Sequence, residues 1–265
     1  MAIKVAVNGA LGRMGKEVVR AVLKEPEIEL VAAIDLKGSG GDIGPAVGLE
    51  PLQVNVAQDL NRVLEETKPH VLVDFTSPYT VMQNIETALA HRVRPVVGTT
   101  GITESDLEKI KALSAASETS VLIAPNFAIG AVLMMHFAVQ AAKYLPEVEI
   151  IELHHDKKTD APSGTAIKTA EMILKTRRQA AKRKDGLEKI TGARGGDLEG
   201  IRIHSVRLPG FVAHQEVIFG GNGQTLTIRH DSTDRSSFMP GVIWGIKEIM
   251  KREGVIYGLE NLLDL

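Results

Sequence analysis

The chain has 265 residues, 44% of them hydrophobic and 24% charged, with a net charge of −2, so it can bury a sizeable core in one or two domains. This charge excludes a general attraction to nucleic acid or to a membrane surface, and no run of about eighteen apolar residues could cross a membrane. The absence of cysteine excludes disulfides, thiol catalysis and cysteine–zinc sites; with an N-terminus that enters a strand without a signal peptide, it predicts a cytoplasmic protein.

Apolar runs alternate with helical patterns in the first half of the chain. The runs predict strands over residues 3–7, 29–35, 52–56, 71–75, 94–97 and 120–124. Helical spacing predicts helices over residues 14–23, 81–90 and 104–116. Unbroken valine, isoleucine and leucine runs separated by helices are typical of a parallel sheet covered on both faces. We therefore predict an α/β fold with a Rossmann-like doubly wound sheet.

The second half has a different order of elements. We predict a helix near residues 128–144, then a strand and a helix to about residue 181, then strands over residues 201–208, 213–219 and 225–230. A glycine-rich turn at residues 220–223 joins the last two strands as a hairpin. Consecutive strands predict a second α+β domain with a mixed sheet. The boundary is placed near Pro125, giving a dinucleotide-binding domain of residues 1–125 and a second domain of residues 126–239.

Two further segments carry local predictions. An apolar pattern after Pro240 predicts a helix over residues 241–250. Basic residues cluster between positions 177 and 184, at the end of a predicted helix, where cations suit the helix dipole. Because no aromatic residues are interleaved with them, a solvated helix face is favoured over a nucleic-acid site.

A glycine-rich loop, residues 7–15, lies between the first predicted strand and the first predicted helix, the context that a dinucleotide fingerprint requires. Its glycines permit a tight turn, close approach to a pyrophosphate and close packing of helix on strand. Asp35, at the end of the second predicted strand, can accept hydrogen bonds from ribose hydroxyls, although a helix or turn cap is the alternative. We predict NADH or NADPH as the cofactor, bound by Gly9, Ala10, Leu11, Gly12, Arg13, Met14 and Asp35.

The choice of cofactor depends on the charges near Asp35. Its carboxylate lies where the 2′-phosphate of NADPH would be bound, which favours NADH. Lys37 would share a face with Asp35 if the strand continued that far, and this cation could offset the repulsion. Arg13 and Lys16 also lie near the predicted pyrophosphate site. We therefore expect both cofactors to be used, with NADH equal or preferred.

Polar loops follow two other predicted parallel strands. Residues 74–78 read Asp-Phe-Thr-Ser-Pro and residues 98–101 read Gly-Thr-Thr-Gly. Ligands of such sheets bind outside the carboxyl ends of the strands, and small residues would let a nicotinamide approach the backbone. The alternative for each segment is a tight loop without a binding role.

Residues 149–166 combine proton donors with a helix start. An alternating strand leads to His154, His155 and Lys158, and Ser163 then opens a predicted helix. Imidazole and ammonium groups donate protons, and free N–H groups at a helix start bind anions, so the segment suits an anionic substrate that is protonated during reaction. Adjacent histidines on a strand point to opposite faces. The alternative is therefore that one histidine packs in the core and the other faces solvent. The same geometry disfavours chelation, and we expect no metal site.

These residues resemble the signature of the 4-hydroxy-tetrahydrodipicolinate (dihydrodipicolinate) reductase family. That signature is Glu-x-x-Glu-x-His-His-x-x-Lys-x-Asp-x-Pro-Ser-Gly-Thr-Ala, and the chain keeps every specified residue. The resemblance extends to the glycine loop, residues 98–101, residues 124–127 and the C-terminal strands. It implies reduction of 4-hydroxy-tetrahydrodipicolinate, a cyclic dicarboxylate, by NAD(P)H with loss of water, in lysine and diaminopimelate biosynthesis. It also implies a C-terminal helix, residues 240–265, that completes the first domain, and a homotetramer built by the second.

The resemblance also implies individual roles. His154 and Lys158 are the proton-donor candidates, whereas His155 and the N–H groups of Gly164 and Thr165 would hold a substrate carboxylate. Further cofactor contacts are implied for Gly98, Thr99, Thr100, Ala124, Pro125, Asn126 and Phe127.

Two other functions remain as alternatives. The chain could be another Rossmann dehydrogenase of amino-acid metabolism, such as an aspartate or homoserine type, although the intact signature argues against this. It could also be a non-catalytic dinucleotide-binding regulator, although a regulator does not need proton donors beside an anion site.

Overall fold

The computed structural model describes residues 2–38, 40–177 and 187–263, and these residues form two compact units. The first unit contains the chain up to Phe127 and again from Phe238 onward. The second unit is Ala128–Ser237. Most of the basic run, residues 178–184, lies outside the described residues, as does the predicted end of the helix near residue 181.

The first unit is built on a parallel sheet. Its first six strands are β1 Ile3–Asn8, β2 Ile28–Ile34, β3 Val56–Ala57, β4 Val71–Asp74, β5 Arg94–Val97 and β6 Val121–Ile123, in the order β6-β5-β4-β1-β2-β3. The helices are α1 Arg13–Leu23, α2 Ile43–Ala46, α3 Leu60–Thr67, α4 Val81–Ala90 and α5 Glu104–Ser117. Every residue of β4 is buried, as expected for a strand covered on both faces. The predicted doubly wound sheet is confirmed.

The predicted strand over residues 52–56 is wrong, since only Val56 and Ala57 pair with β2. The carboxylate of Asp42 accepts hydrogen bonds from the N–H groups of Gly44 and Leu52, at 2.7 and 2.9 Å. These bonds hold residues 42–54 as a loop with the short helix α2, because a side-chain acceptor competes with strand pairing for backbone donors.

The second unit is built on a mixed sheet, as predicted. In order along the chain its elements are α6 Ile129–Ala142, β7 Glu147–His154, α7 Gly164–Leu174, β8 Gly196–Leu198, β9 Ile201–Arg207, β10 Ala213–Gly221 and β11 Gln224–Ser232. The strand order is β11-β10-β7-β9-β8, with β7 parallel to β9 and antiparallel to β10. Gly221 pairs with Gln224, so the β10–β11 turn is the dipeptide Asn222-Gly223, which is tighter than the predicted turn over residues 220–223.

The helix predicted over residues 241–250 is confirmed, but the single helix over residues 240–265 that the resemblance implied is wrong. A short 3-10 helix, Arg235–Phe238, leads into α8, Met239–Ile249. The chain then turns through Gly254, which has a φ of 69°, into β12, Val255–Tyr257. β12 pairs in parallel with β6 and extends the first sheet, as its β-branched residues favour. Among the helices of the described residues, none has the length and apolar character needed to cross a membrane.

Candidate active site

The glycine loop after β1 is shaped by close backbone contacts. Gly9 has a φ of 79°, and a Cβ there would lie 2.4 Å from the carbonyl oxygen of Phe75. A Cβ at Gly15 would lie 2.0 Å from the carbonyl oxygen of Gly9. Glycine is therefore required at both positions, one for the turn and one for the packing of α1 on β1.

The start of α1 offers free donors beside a cavity. In the described part of the chain, the N–H groups of Arg13 and Met14 donate no hydrogen bond. A cavity of about 780 Å³ opens here, with Gly9, Gly12 and Asp35 among its lining residues. Helix N-termini of this kind bind phosphates, and the volume suits a nucleotide-sized ligand. The loop and cavity therefore fit the predicted dinucleotide.

Asp35 holds the loop in place through both of its carboxylate oxygens. Oδ2 accepts a hydrogen bond from the N–H of Leu11 at 3.0 Å, and Oδ1 accepts one from the N–H of Lys37 at 2.9 Å. Asp35 thus caps a turn, as the alternative interpretation proposed, and each oxygen keeps a lone pair for a ribose hydroxyl. Because β2 ends at Ile34, the strand does not continue to Lys37, whose side chain is exposed.

Asp74, the first residue of the polar loop over residues 74–78, joins the carboxyl ends of three strands. It is 1% exposed and accepts hydrogen bonds from the side chains of Asn8 at 3.0 Å, Asn84 at 2.8 Å and Thr99 at 2.7 Å. The hydroxyl of Thr76 donates to it at 2.8 Å. The Thr99 hydroxyl is therefore engaged within the protein, and the loops after β1, β4 and β5 are held together where a dinucleotide would be bound.

The remaining predicted cofactor residues lie at the ends of β5 and β6. Gly98 packs against the ring of Phe75, since a Cβ there would lie 2.1 Å from it. Phe127 is buried, and its ring centroid lies 5.9 Å from that of Phe75. Ala124 is also buried, Asn126 is half-buried, and Thr100 and Pro125 are exposed.

The first part of the signature forms the end of β7 and the turn that follows it. His154 is the last residue of β7, and the N–H of Lys158 closes a turn on the carbonyl oxygen of His155 at 3.1 Å. The Lys158 ammonium donates to both carboxylate oxygens of Asp160, at 2.7 and 2.8 Å. These hydrogen bonds lower the pKa of Asp160 below its usual value.

Glu152 and Arg207 are site residues that were not among those predicted from the sequence. Glu152 is fully buried and accepts a hydrogen bond from Nδ1 of His154. Arg207 binds it with two nitrogens, at 2.9 and 2.7 Å, and the N–H of Ser163 donates to it at 3.2 Å. Burial alone would raise the pKa of Glu152, but hydrogen bonds from His154, Arg207 and Ser205 outweigh it and lower the pKa to about 2.

A sequence signal existed for one of the two. Glu152 stands two residues before His154 on a strand, and such residues share a face. Arg207 could not be found in this way, because it is 55 residues from Glu152 and only the parallel register of β7 and β9 brings it opposite His154.

The start of α7 offers a second set of free donors. Ser163 caps the helix by accepting a hydrogen bond from the N–H of Ala166 at 3.2 Å. Within the described ranges, the N–H groups of Gly164 and Thr165 meet no acceptor, and a Cβ at Gly164 would meet no heavy atom within 4 Å. Nδ1 of His155 is buried and likewise has no hydrogen-bond partner in the described structure. The free N–H groups of Gly164 and Thr165 fit an anionic group.

Comparison with known proteins accounts for both units. Residues 3–127 match the family model for the dihydrodipicolinate reductase N-terminus, and residues 130–263 match the model for its C-terminus. The chain belongs to the dihydrodipicolinate reductase family. It is therefore a reductase with an NAD(P)H-binding Rossmann domain, as the sequence predicted.

Relatives match along nearly the whole length. A 4-hydroxy-tetrahydrodipicolinate reductase from Syntrophomonas wolfei is 56% identical, with 98% of each chain covered. One from Listeria innocua is also 56% identical, with 99% of this chain and 100% of the relative covered. The solved dipicolinate-bound dihydrodipicolinate reductase from Paenisporosarcina sp. TG-14 is 46% identical and covers 99% of this chain and 100% of its own, with a TM-score of 0.88. An amine dehydrogenase from Mycobacterium smegmatis, 15% identical with a TM-score of 0.71, shares the fold alone.

Proposed function

We propose that the chain reduces 4-hydroxy-tetrahydrodipicolinate to tetrahydrodipicolinate with NADH or NADPH and loss of water, in lysine and diaminopimelate biosynthesis. The observation that carries the proposal is the signature segment, where a histidine bound by a buried glutamate precedes a helix start with free N–H groups. The names of relatives that are 56% identical, and the dipicolinate-bound relative, support the same reaction. An aspartate or homoserine-type dehydrogenase and a non-catalytic regulator lack this support.

The substrate carboxylates are bound by the donors at the start of α7. The N–H groups of Gly164 and Thr165 point out of the first turn of α7, where the helix dipole favours negative charge. His155, which directly follows β7 in the signature, is proposed to hold a substrate carboxylate as well. The exposed backbone at Gly164 lets a flat carboxylate approach closely, because no side chain covers it.

The proton is supplied by the signature side chains. Loss of the 4-hydroxyl group of the substrate as water leaves a conjugated imine. Reduced nicotinamide would supply the hydride when bound, and the electron-rich enamine that results takes up a proton. His154 and Lys158 are both donor candidates, at the end of β7 and in the turn that follows it. A bound dianionic substrate would compete with Asp160 for the Lys158 ammonium, so that the charge of Lys158 also stabilises the substrate.

The cofactor residues of the first unit are proposed to bind both NADH and NADPH, with NADH equal or preferred. The N–H groups at the start of α1 hold the pyrophosphate, and the remaining lone pairs of Asp35 accept the ribose hydroxyls. Lys37 lies in the exposed turn after β2 and lines the same cavity as Asp35, where its charge can offset repulsion of a 2′-phosphate.

A cytoplasmic homotetramer is proposed as well. β11 lies at the edge of the second sheet and is mostly exposed along its nine residues, so it can pair with another chain. The absence of cysteine suits a reducing compartment. Light scattering of the purified protein should give the mass of four chains, and a monomer at micromolar concentration would refute the assembly.

An assay of reduced-cofactor consumption tests the reaction. The substrate is formed in situ from pyruvate and aspartate semialdehyde by the synthase that condenses them, and loss of NADH or NADPH absorbance is followed after addition of the protein. Consumption should require both precursors. Consumption with aspartate semialdehyde alone would indicate a homoserine-type dehydrogenase, and cofactor binding without any turnover would indicate a regulator.

A further inference from the structure

Glu152 and His154 lie on one face of β7, surrounded by residues of the neighbouring strands. In the β7–β9 register Ser205 is opposite Glu152 and Arg207 is opposite His154, and in the β7–β10 register Gln215 is opposite Glu152. Glu152 has no exposed surface, so its carboxylate can be stabilised only by the protein groups around it.

The contacts of Glu152 determine its ionisation. Arg207 is a permanent cation and binds both carboxylate oxygens, which matches the bidentate geometry of an ionised pair. The Ser163 N–H donates to the same carboxylate. All of these partners are donors, as an ionised carboxylate requires, because it can only accept.

The tautomer of His154 follows from this charge. Its Nδ1 contacts an oxygen of Glu152, and a contact with a pure acceptor requires a hydrogen on that nitrogen. Nε2 is then the ring nitrogen that gains and loses a proton. A histidine with its hydrogen on Nε2 and its lone pair on Nδ1 would instead face the carboxylate with two acceptors, which is repulsive.

We propose that Glu152 is a positioning residue for proton transfer, which holds His154 with hydrogen on Nδ1 and Nε2 available to the substrate. Through the Ser163 N–H the same carboxylate also fixes the start of α7, so a single buried group aligns the proton donor with the anion site. Arg207 keeps Glu152 charged and in place, and it also donates to the carbonyl oxygen of Asp160 at 2.7 Å. The proposal rests on the proposed reductase function.

The tautomer can be measured without any turnover. Nitrogen NMR of protein with 15N-labelled histidine distinguishes Nδ1–H from Nε2–H rings, and His154→Gln assigns the signal by its loss. The wild-type protein should show the Nδ1–H form at a pH where the ring is neutral. Glu152→Gln, which keeps the shape of the side chain and removes its charge, should lose that preference. A wild-type ring with hydrogen on Nε2 would overturn the proposal, whether or not Glu152→Gln folds.

Kinetics provide the second readout. In Glu152→Gln, kcat should fall by about 10- to 100-fold, less than the roughly 10²- to 10⁴-fold that general acid catalysis contributes in full, while the KM for NADH stays unchanged. Glu152→Asp retains a charged acceptor and should keep more activity than Glu152→Gln. Glu216→Gln is the matched control: it lies on the neighbouring strand β10, outside the signature, and Oε2 of Glu216 accepts a hydrogen bond from Arg229 at 3.1 Å. It should leave kcat and the His154 signal as in wild type.

The results distinguish failure of the positioning role of Glu152 from failure of the proposed reductase reaction. Near wild-type kcat in a folded Glu152→Gln, or a kcat of Glu152→Asp no higher than that of Glu152→Gln, would refute the positioning role. If the wild-type protein does not turn over the substrate, the proposed reaction fails, and the NMR result still decides the tautomer.

Discussion

Replacing Glu152 with Gln should remove a pH-dependent part of the stability of the second unit. The surrounding donors lower the pKa of Glu152 from its usual 4.5 to about 2 in the folded protein. A carboxyl group with a depressed folded pKa contributes stability above its unfolded pKa and loses it as the pH falls through the folded value. The contribution is therefore complete near neutral pH and is lost between about pH 5 and pH 2.

The size of the effect follows from the two pKa values. Their difference corresponds to about 3 kcal/mol at neutral pH. Integration of the linkage relation indicates that about 2 kcal/mol of this is lost between about pH 6 and pH 3. Glutamine does not titrate, so the free energy of unfolding of Glu152→Gln lacks this component.

The measurement is urea unfolding followed by circular dichroism, at one protein concentration and several pH values. The quantity of interest is the unfolding free energy of wild type minus that of Glu152→Gln, because titration of the groups that do not interact with Glu152 cancels in the difference. This difference should fall by about 2 kcal/mol from about pH 6 to pH 3. The exposed Glu253→Gln serves as the control for loss of one negative charge and should show no comparable change.

A difference that stays constant across this range would refute the reasoning. Glu152 would then not be an ionised group with a depressed folded pKa, and the argument for the His154 tautomer would lose its basis.

Other substitutions test the rest of the site. His154→Ala and Lys158→Ala should each lower kcat by about 10²- to 10⁴-fold while NADH affinity in a binding titration is kept; near-normal kcat in both would remove their assignment as proton donors. Thr165→Pro should raise the KM for substrate in a folded protein, since proline is tolerated in the first helical turn and removes one N–H; an unchanged KM would argue against an anion site there. Asp35→Ala should lower kcat/KM for NADH more than for NADPH, and Lys37→Ala should do the reverse; if wild type strongly prefers NADPH and Asp35→Ala affects neither cofactor, Asp35 is not the ribose ligand.

Local patterns were sufficient to predict most elements of both units. The helices Val81–Ala90 and Ile129–Ala142 and the strand Arg94–Val97 lie where, or within two residues of where, the sequence placed them. Their signals are short in range, because a helical face or an apolar run is encoded by neighbouring residues. The predicted helix near residue 128 and the observed α6 differ only at their ends, which is where such patterns carry least information.

Predictions from local patterns failed where a residue distant in sequence forms hydrogen bonds with the backbone. Residues 52–55 are apolar and polar in alternation, yet Asp42 binds the N–H groups of Leu52 and Val54 and prevents a strand. The C-terminal segment contains a strand because β6 offers a free edge to Val255, a pairing over more than a hundred residues. The residues around position 255 carry no information about the availability of the β6 edge.

The features of the candidate site also fall into those that the local sequence determines and those that depend on the tertiary structure. The order of residues by itself determined the glycine loop, the signature and the parallel sheet, since glycine spacing, adjacent donors and apolar runs are properties of neighbouring residues. Only the tertiary structure decided that Arg207 binds Glu152 and that Asn8 and Asn84 bind Asp74. These partners meet because strand register brings distant side chains to one face, and buried carboxylates are stable only when such donors surround them.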